Sequence, residues 1–389
     1  MERACRAAPW RRAFPSRLGS SSESRTWRIT NTVGVQSVGN AAMPSGRALP
    51  RLPAPRRLSA KIGRKTVTLS RRAAVAGLAA LPLGRAQAQT AFPTKPFTLV
   101  VPFPAGGPAD IFGRNLAERM SPFLGQPVLV ENKSGAAGVT GVDFVAKAGT
   151  DAHVMGIMSA SAGAIMQSLM PKMPFDPAKD IAPQILVVRV QEVLAINAKL
   201  GINDLKSFIA YAKANPGKVT CGSAGTGGIT HLAIELFKRE TGCDLLHVPY
   251  RGAAPATNDL LAGTVDTVLL DISILLPHAR SGAVKILAVT SDSRAPLLPD
   301  VPTMREMGYP KVNSDNWYAL ISPGAAPAEA RKKIFDAATA ALKTKELIAA
   351  YAAVGGVVGG GTSDELKAFL QEEVGKWAAV VKSANVKLE

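Results

Sequence analysis

From Phe97 onward, short apolar runs alternate with longer stretches whose apolar residues recur every three or four positions. The runs FTLVVPF, PVLVEN, HVMGIMSA, VTCGS, DLLHVPY, VDTVLLD and VKILAVTS are brief and mostly β-branched or aliphatic, which predicts buried strands. Between them, IFGRNLAERMSPFL, GVTGVDFVAKA, LKSFIAYAKANPGK, GITHLAIELFKRE, APATNDLLAG and ILLPHARSG carry helical spacing. Two further apolar runs, QILVVRVQEVLAIN and NWYALISPG, are placed to cross between two lobes. After Ala328 come three helical segments, AEARKKIFDAATAALK, KELIAAYAAVG and SDELKAFLQEEVGKWAAVVKSANV. Strands alternating with helices predict an α/β fold with parallel-rich sheets covered on both faces. The crossovers divide it into one lobe of residues 92–190 plus 316–389 and a second of residues 191–315. Ligands of such sheets sit at the carboxyl ends of the strands, so the cleft between the lobes is the expected site.

Charge changes the picture only at the N-terminus. The whole chain carries a formal +17, but 17 of its 46 Lys and Arg and two of its 29 acids fall in residues 1–88. That segment holds +15 and the remaining 301 residues only +2. A nucleic-acid partner is therefore not expected. Within the leader, KIGRKTVTLSRR is basic, AAVAGLAALPLG is apolar and AQAQ is small, the order of a secretory signal over residues 67–88 cut after Ala88. Its apolar part spans roughly 18 Å as a helix, too short for a ~30 Å hydrocarbon core. Ser70-Arg71-Arg72 suits a twin-arginine route, but Ala74 and Val75 stand where bulkier residues belong, so that route and the general secretory one both stay open. Residues 1–66 show no period and read as a disordered extension or the product of a start codon set too early, with Met43 a later candidate. Periplasmic export follows. It makes a disulfide chemically permissible, yet Cys221 ends one predicted strand and Cys243 begins the next, placing them at opposite ends of a parallel sheet. Two buried thiols are expected.

The candidate chemistry lies in two glycine loops. VVPFPAGGPAD lacks the Gly-Lys-Ser/Thr of a phosphate loop, and CGSAGTGGITHL has Thr230 where a dinucleotide fingerprint needs its third glycine. Each leads into a helix N-terminus without a Lys or Arg. That suits a small carboxylate held by backbone amides, with Ser223 and Thr226 as hydroxyl donors. The plainer alternative is that Gly106 and Gly107 only make a turn. Asp110 reads first as an N-cap, second as a contact for an amino group of the ligand. The four histidines, His153, His231, His247 and His278, have no metal-ligand spacing, and neither HExxH, CxxC nor GxSxG occurs. No catalytic residue, metal or cofactor is expected. The rival reading is an α/β hydrolase or acyl-transfer enzyme using Ser223 and His231. Arg251 is left open between ligand contact, lobe-closing salt bridge and solvated site.

The segments KPFTLVVPFPAGGPADIFGR, VLVENKSGAAGVTGVDFVAKA, FDPAKDIAP, YAKANPGKVTCGSAGTGGITHLAIELFK, LLHVPYRGAAPATNDLLAGTVD, LPHARSGAVKILAVTSDSRAPLLPDVPTMREMGYP and WYALISPGAAP, taken in order, resemble the Bug-type extracytoplasmic solute-binding proteins of tripartite tricarboxylate transporters. The likeness runs from about Thr94 to Leu388. It implies a two-lobed periplasmic-binding (Venus flytrap, type II) fold that closes on a small organic acid: a mono-, di- or tricarboxylate or an amino acid. It implies uptake or sensing, a monomer, and membrane components of a transporter as partners. On the family's pattern Phe103, Ala105, Gly106, Gly107 and Asp110 match the first binding loop, and Ser223, Gly225, Thr226 and Gly227 the loop of the other lobe. Ser159 and Ser161 match a third ligand-facing segment, and Asp271 a cleft-facing acid. The chain departs from the family in AGAIMQSLM, which is bland and Met-rich, and in GTDAHVMG, which replaces an Asp-Gly-Tyr turn.

Overall fold

The computed structural model describes residues 92–384 and 386–388, so the expected signal segment and extension, residues 1–88, lie outside the described residues. Strand β1 (Phe97–Val101) is followed by α1 (Pro108–Leu124), β2 (Val128–Asn132), α2 (Val139–Ala146) and β3 (Val154–Ser159). A π-helical turn at Ser161–Ile165 then runs into the short α3 (Met166–Leu169). Next come β4 (Ile181–Asn197), α4 (Leu205–Ala214), β5 (Thr220–Ser223), α5 (Ile229–Thr241), β6 (Leu246–Pro249), α6 (Ala253–Ala262), β7 (Thr267–Asp271), α7 (Ile272–Arg280) and β8 (Val284–Val289). The chain closes with β9 (Asp315–Pro323), α8 (Ala328–Leu342), α9 (Lys345–Ala353), β10 (Gly356–Gly360) and α10 (Ser363–Ala384).

The first helix shows why these residues fold as they do. Pro108 sits in its first turn, where a missing N–H costs nothing, and Gly125 ends it in the left-handed conformation. Ala109, Phe112, Leu116 and Met120 form its buried stripe at spacings of three and four. Burying a side chain the size of Phe112 or Leu116 contributes about 1.5–3 kcal/mol.

Parallel pairing is confined to the flanks, β2-β1-β3 on one side and β6-β5-β7 on the other. These flanks are the parallel-rich sheets that strand–helix alternation predicted, and the strands at the centre run antiparallel to their neighbours. Strand β4 pairs antiparallel with β9, β10, β7 and β8. The reason lies in β4 itself. Its residues up to Gln191 lie against β9, and from Glu192 onward it lies against β7. A 17-residue strand reaches about 55 Å, long enough to serve two groups of strands.

Strand β10 was hidden in VGGVVGGG, which has no polar alternation. It needs glycine for close approach: a Cβ on Gly356 would stand 2.6 Å from the Phe112 ring. Cys221 and Cys243 are buried free thiols, as their positions on successive strands predicted. Among the described residues, no helix is long and apolar enough to cross a membrane.

Candidate functional site

Three helix N-termini from the two groups of strands meet at one cavity of about 30 Å³. The first belongs to α1. Gly107 is its N-cap and Pro108 has no N–H, so the first free amide is that of Ala109, for which the chain supplies no acceptor. Gly106 makes the preceding turn at φ +78°. Its N–H donates to Asp110 Oδ2 at 2.9 Å, where Arg114 Nε also donates, and Asn132 Nδ2 donates to Oδ1. Burial pushes the Asp110 carboxyl up, but the hydrogen bonds from Arg114, Gly106 and Asn132 outweigh it and hold it below its ordinary value. Asp110 is thus not the N-cap the sequence suggested. It stands at the third helical position and braces the loop from behind.

The second N-terminus is that of α5, capped by Gly228. The Ile229 N–H donates to Ser161 Oγ at 3.1 Å. Thr230 Oγ1 accepts the Ala224 N–H at 2.9 Å, while the Thr230 N–H has no acceptor in the chain. The third is that of α6, where Ala253 lines the cavity. Gly252 before it sits at φ +133°, and a Cβ there would come within 2.6 Å of Pro104 Cδ. The two halves therefore already touch at Ser161–Ile229 and at Pro104–Gly252.

Behind the second loop, His231 and His247 stack with ring centroids 3.9 Å apart and planes 7° from parallel. The Gly227 N–H donates to His231 Nδ1, which leaves the ring proton on Nε2. His247 Nε2 lies 2.6 Å from Ser223 Oγ, which also accepts the Gly225 N–H. Burial drives both imidazoles down to about 4, so the pair is neutral at pH 7. Ser223 is paired with His247 rather than with His231, is fully buried, and does not reach the cavity. A nucleophile needs its oxygen in the substrate space, so this pair is scaffolding for the loop.

Asp271, the N-cap of α7, also lines the cavity. Tyr318 Oη donates to its Oδ2 at 2.5 Å and Asn316 Nδ2 lies 3.1 and 3.2 Å from its two oxygens. Burial raises this carboxyl to about 6, against the pull of Tyr318 and Asn316. Beside it in the β4–β7 register is Glu192, fully buried, with Oε2 accepting from Ser314 and Oε1 unpartnered. Burial, and next the neighbouring Asp271 charge, push the Glu192 carboxyl well above its ordinary value. Among the described residues, no Lys, Arg or His lines the cavity. Its positive potential comes from the helix ends.

Of the residues singled out from sequence, Phe103, Gly107, Ser161 and Asp271 line this cavity. Gly225 and Thr226 line a wider one of about 280 Å³ at its mouth, beside Tyr250 and Arg251. Arg251 is exposed and, among the described residues, forms no ion pair, so the lobe-closing salt bridge is not seen. Ala105 and Gly106 are exposed on the outer side of the turn, and Ser159 is buried with its hydroxyl unpartnered. Gly227 packs under Met166, Leu169 and Leu388. Among the lining residues that sequence reasoning did not single out are Ala109, Thr230, Ala253, Asn316 and Tyr318. The Tyr250-Arg251-Gly252 turn before a helix was a third loop of the same kind. Asn316 and Tyr318 were polar residues two apart in an apolar strand, a signal that meant nothing until β4 was seen to pair with both β9 and β7.

The model of the tripartite tricarboxylate transporter family receptor matches residues 112–386. The chain belongs to this family. Protein BugT of Bordetella pertussis is 37% identical over 299 residues, covering 77% of this chain and 92% of that one. A solved R. palustris protein with adipate is 31% identical, with a TM-score of 0.74 over 76% of this chain and 99% of that one. MatC of Rhodopseudomonas palustris with bound malate is 30% identical, with a TM-score of 0.71 over 75% of this chain and all of that one. The receptor is of the Bug type and has the two-lobed periplasmic-binding-protein fold. Its relatives are solute-binding receptors and not enzymes, which sets aside the hydrolase reading of Ser223 and His231.

Proposed function

We propose that the receptor captures a small organic acid between two lobes, residues 92–190 plus 316–389 and residues 191–315, and holds its carboxylate on backbone amides. One observation carries the reading. The N-termini of α1, α5 and α6 share a cavity with no cationic side chain, and unpaired amides at helix ends are a carboxylate site. The switch of β4 from β9 to β7 at Gln191–Glu192 supports the division into lobes. In the bound state the Ala109 and Thr230 amides take the carboxylate, Phe103 packs over it, Ser161 closes the lobes, and Asp271 faces the far end. Gly225 and Thr226 form the entrance, while Ala105, Gly106, Asp110, Ser159, Ser223 and Gly227 shape the loops behind.

Malate in MatC and adipate in the R. palustris protein support an acid as the ligand class. The receptor acts as a monomer that delivers its ligand to the membrane components of a tripartite transporter. It reaches the periplasm by a signal peptide cut after Ala88.

A thermal-shift panel of mono-, di- and tricarboxylates and amino acids tests the reading, with calorimetry on whatever binds. One or more acids should raise the midpoint with a 1:1 stoichiometry. A panel in which no acid binds, while neutral sugars or amines do, rejects it.

A further inference from the structure

We propose that the receptor carries a second binding site, distinct from the cavity at the helix ends, for a carboxylate with an apolar body. The site is a cavity of about 570 Å³, and small-molecule sites run roughly 300–1,000 Å³. It shares no lining residue with the first cavity, and all its lining residues fall within 158–183 and 324–374. One turn parts the two: Ser161 lines the first, and the next two residues, Ala162 and Gly163, line the second. Another wall is the segment FDPAKDIAP, which the first cavity leaves unused. The Gly324 N–H, just after β9, holds this segment by donating to the Asp180 carbonyl at 2.8 Å.

The walls are of two kinds. Met158, Phe175 and Ile181 are buried apolar side chains, and Leu370 and Val374 of α10 pack half-buried on the same cluster. The charged lining is Lys179, Arg331 and Lys367, with no acidic side chain among the described residues. Asp176 and Asp180 turn back on their own segment, where they accept the Ala178 and Asp176 N–H groups. Lys179 and Lys367 are exposed, with Asp176 at 3.6 Å and Asp364 at 2.9 Å, surface pairs that hold little. Arg331 is half-buried and forms no ion pair among the described residues. Its guanidinium has one polar contact, the Gly324 carbonyl at 3.5 Å, at the outer limit of a hydrogen bond. An inorganic anion would pair with Arg331 but leave the apolar wall against water. A neutral apolar molecule would cover that wall and leave the guanidinium fork without an acceptor. A carboxylate with an apolar body does both. It takes paired hydrogen bonds from the fork, while its body displaces water from Phe175, Leu370 and Val374.

The test is calorimetry at pH 7.5 with octanoate and 4-phenylbutyrate, each against its neutral amide, and with inorganic phosphate. At least one of the two carboxylates should bind about tenfold or more tighter than its amide and than phosphate. In Arg331→Gln its affinity should fall about 10- to 100-fold, the range of a hydrogen bond to a charged group. Lys367→Gln, a change at an exposed side chain, should weaken it about threefold, the size of a surface charge effect. In Gly107→Val, which fills the first cavity, a site of the parent's affinity should remain. The comparison of acid with amide on the parent stands even if a variant folds poorly. Binding that survives Arg331→Gln and is lost in Gly107→Val overturns the inference, because it places the ligand in the first cavity. So does equal binding of the amide, equal binding of phosphate, or no binding of either carboxylate. None of these outcomes counts against carboxylate capture at the helix ends.

Discussion

The Ser161 hydroxyl accepts the Ile229 N–H at 3.1 Å, so a side chain from the β3 end caps the helix that follows β5. Both residues are buried, and both line the cavity. This hydrogen bond joins the two halves of the molecule at the cavity, beside those that Tyr318 and Asn316 donate to Asp271.

Ser161→Ala should bias the receptor toward an open form. It leaves a buried N–H without an acceptor in the closed form, a penalty of about 1–3 kcal/mol. Affinity for the ligand should fall roughly 5- to 100-fold, with faster dissociation. Solution scattering of the unliganded variant should show a larger radius of gyration than the parent. Unchanged affinity and shape would show that the clasp contributes nothing.

The two glycines of the first loop should respond differently to valine. Gly106 has φ +78° and open space around its missing Cβ, so Gly106→Val costs roughly 1–2 kcal/mol in stability through backbone strain. Gly107 has an ordinary φ of −79°, but it lines the cavity. Gly107→Val should leave the melting temperature nearly intact and weaken binding more than about a hundredfold by filling the ligand's space. Thermal melts and calorimetry on both variants separate the two effects.

Asp110→Ala should act on stability first. It removes the shared acceptor of Gly106, Arg114 and Asn132 and leaves the Gly106 N–H unpaired. A loss of about 2–4 kcal/mol is expected, since hydrogen bonds to a buried charge are worth about 1.5–3 kcal/mol each and are not additive. Urea denaturation gives the value. A variant as stable as the parent, but unable to bind, would make Asp110 a ligand contact instead of a brace.

Between pH 4 and 6 the proton linkages oppose one another. His231 and His247 lie near 4 in the fold against an ordinary 6.5, so the unfolded chain binds more protons across that window. Their contribution to stability is present above 6.5 and lost as pH falls. Asp271 lies near 6 against an ordinary 3.8, so the fold binds the extra proton there, and its contribution is lost as pH rises through 6. Glu192 acts in the same direction. Stability of the parent should therefore vary little from pH 4 to 6. In Asp271→Asn it should rise more steeply with pH, and in a His231→Asn, His247→Asn double variant it should fall. Urea midpoints at half-unit steps read the slopes directly, and parallel curves for all three proteins would refute the assignment.

The sequence by itself determined the elements and the family. Apolar runs of strand length alternating with helical spacing, as in FTLVVPF and IFGRNLAERM, reflect local geometry that each segment carries alone. The many family-like segments in order carried the kinship, and the glycines before α1 and α5 marked helix ends open to an anion. What the sequence could not contain was which groups meet across distance. Strand β10 was invisible because its glycines are selected by the closeness of Phe112 and Val188, which only the folded sheet provides. Ser223 was paired with His231 in the linear reading, since they are close in the chain. The fold gives it His247 instead, because β5 and β6 lie side by side in parallel register. Asp110 passed for a cap until Asn132 and Arg114 were seen to converge on it. Asp271 joined the lining of a cavity only when β4, pairing with both β7 and β9, brought Asn316 and Tyr318 within hydrogen-bond reach of it. Periodicity is a property of neighbours along the chain. A binding site is a property of neighbours in space, and here tertiary packing alone brought helix ends and a buried carboxylate into the lining of one cavity.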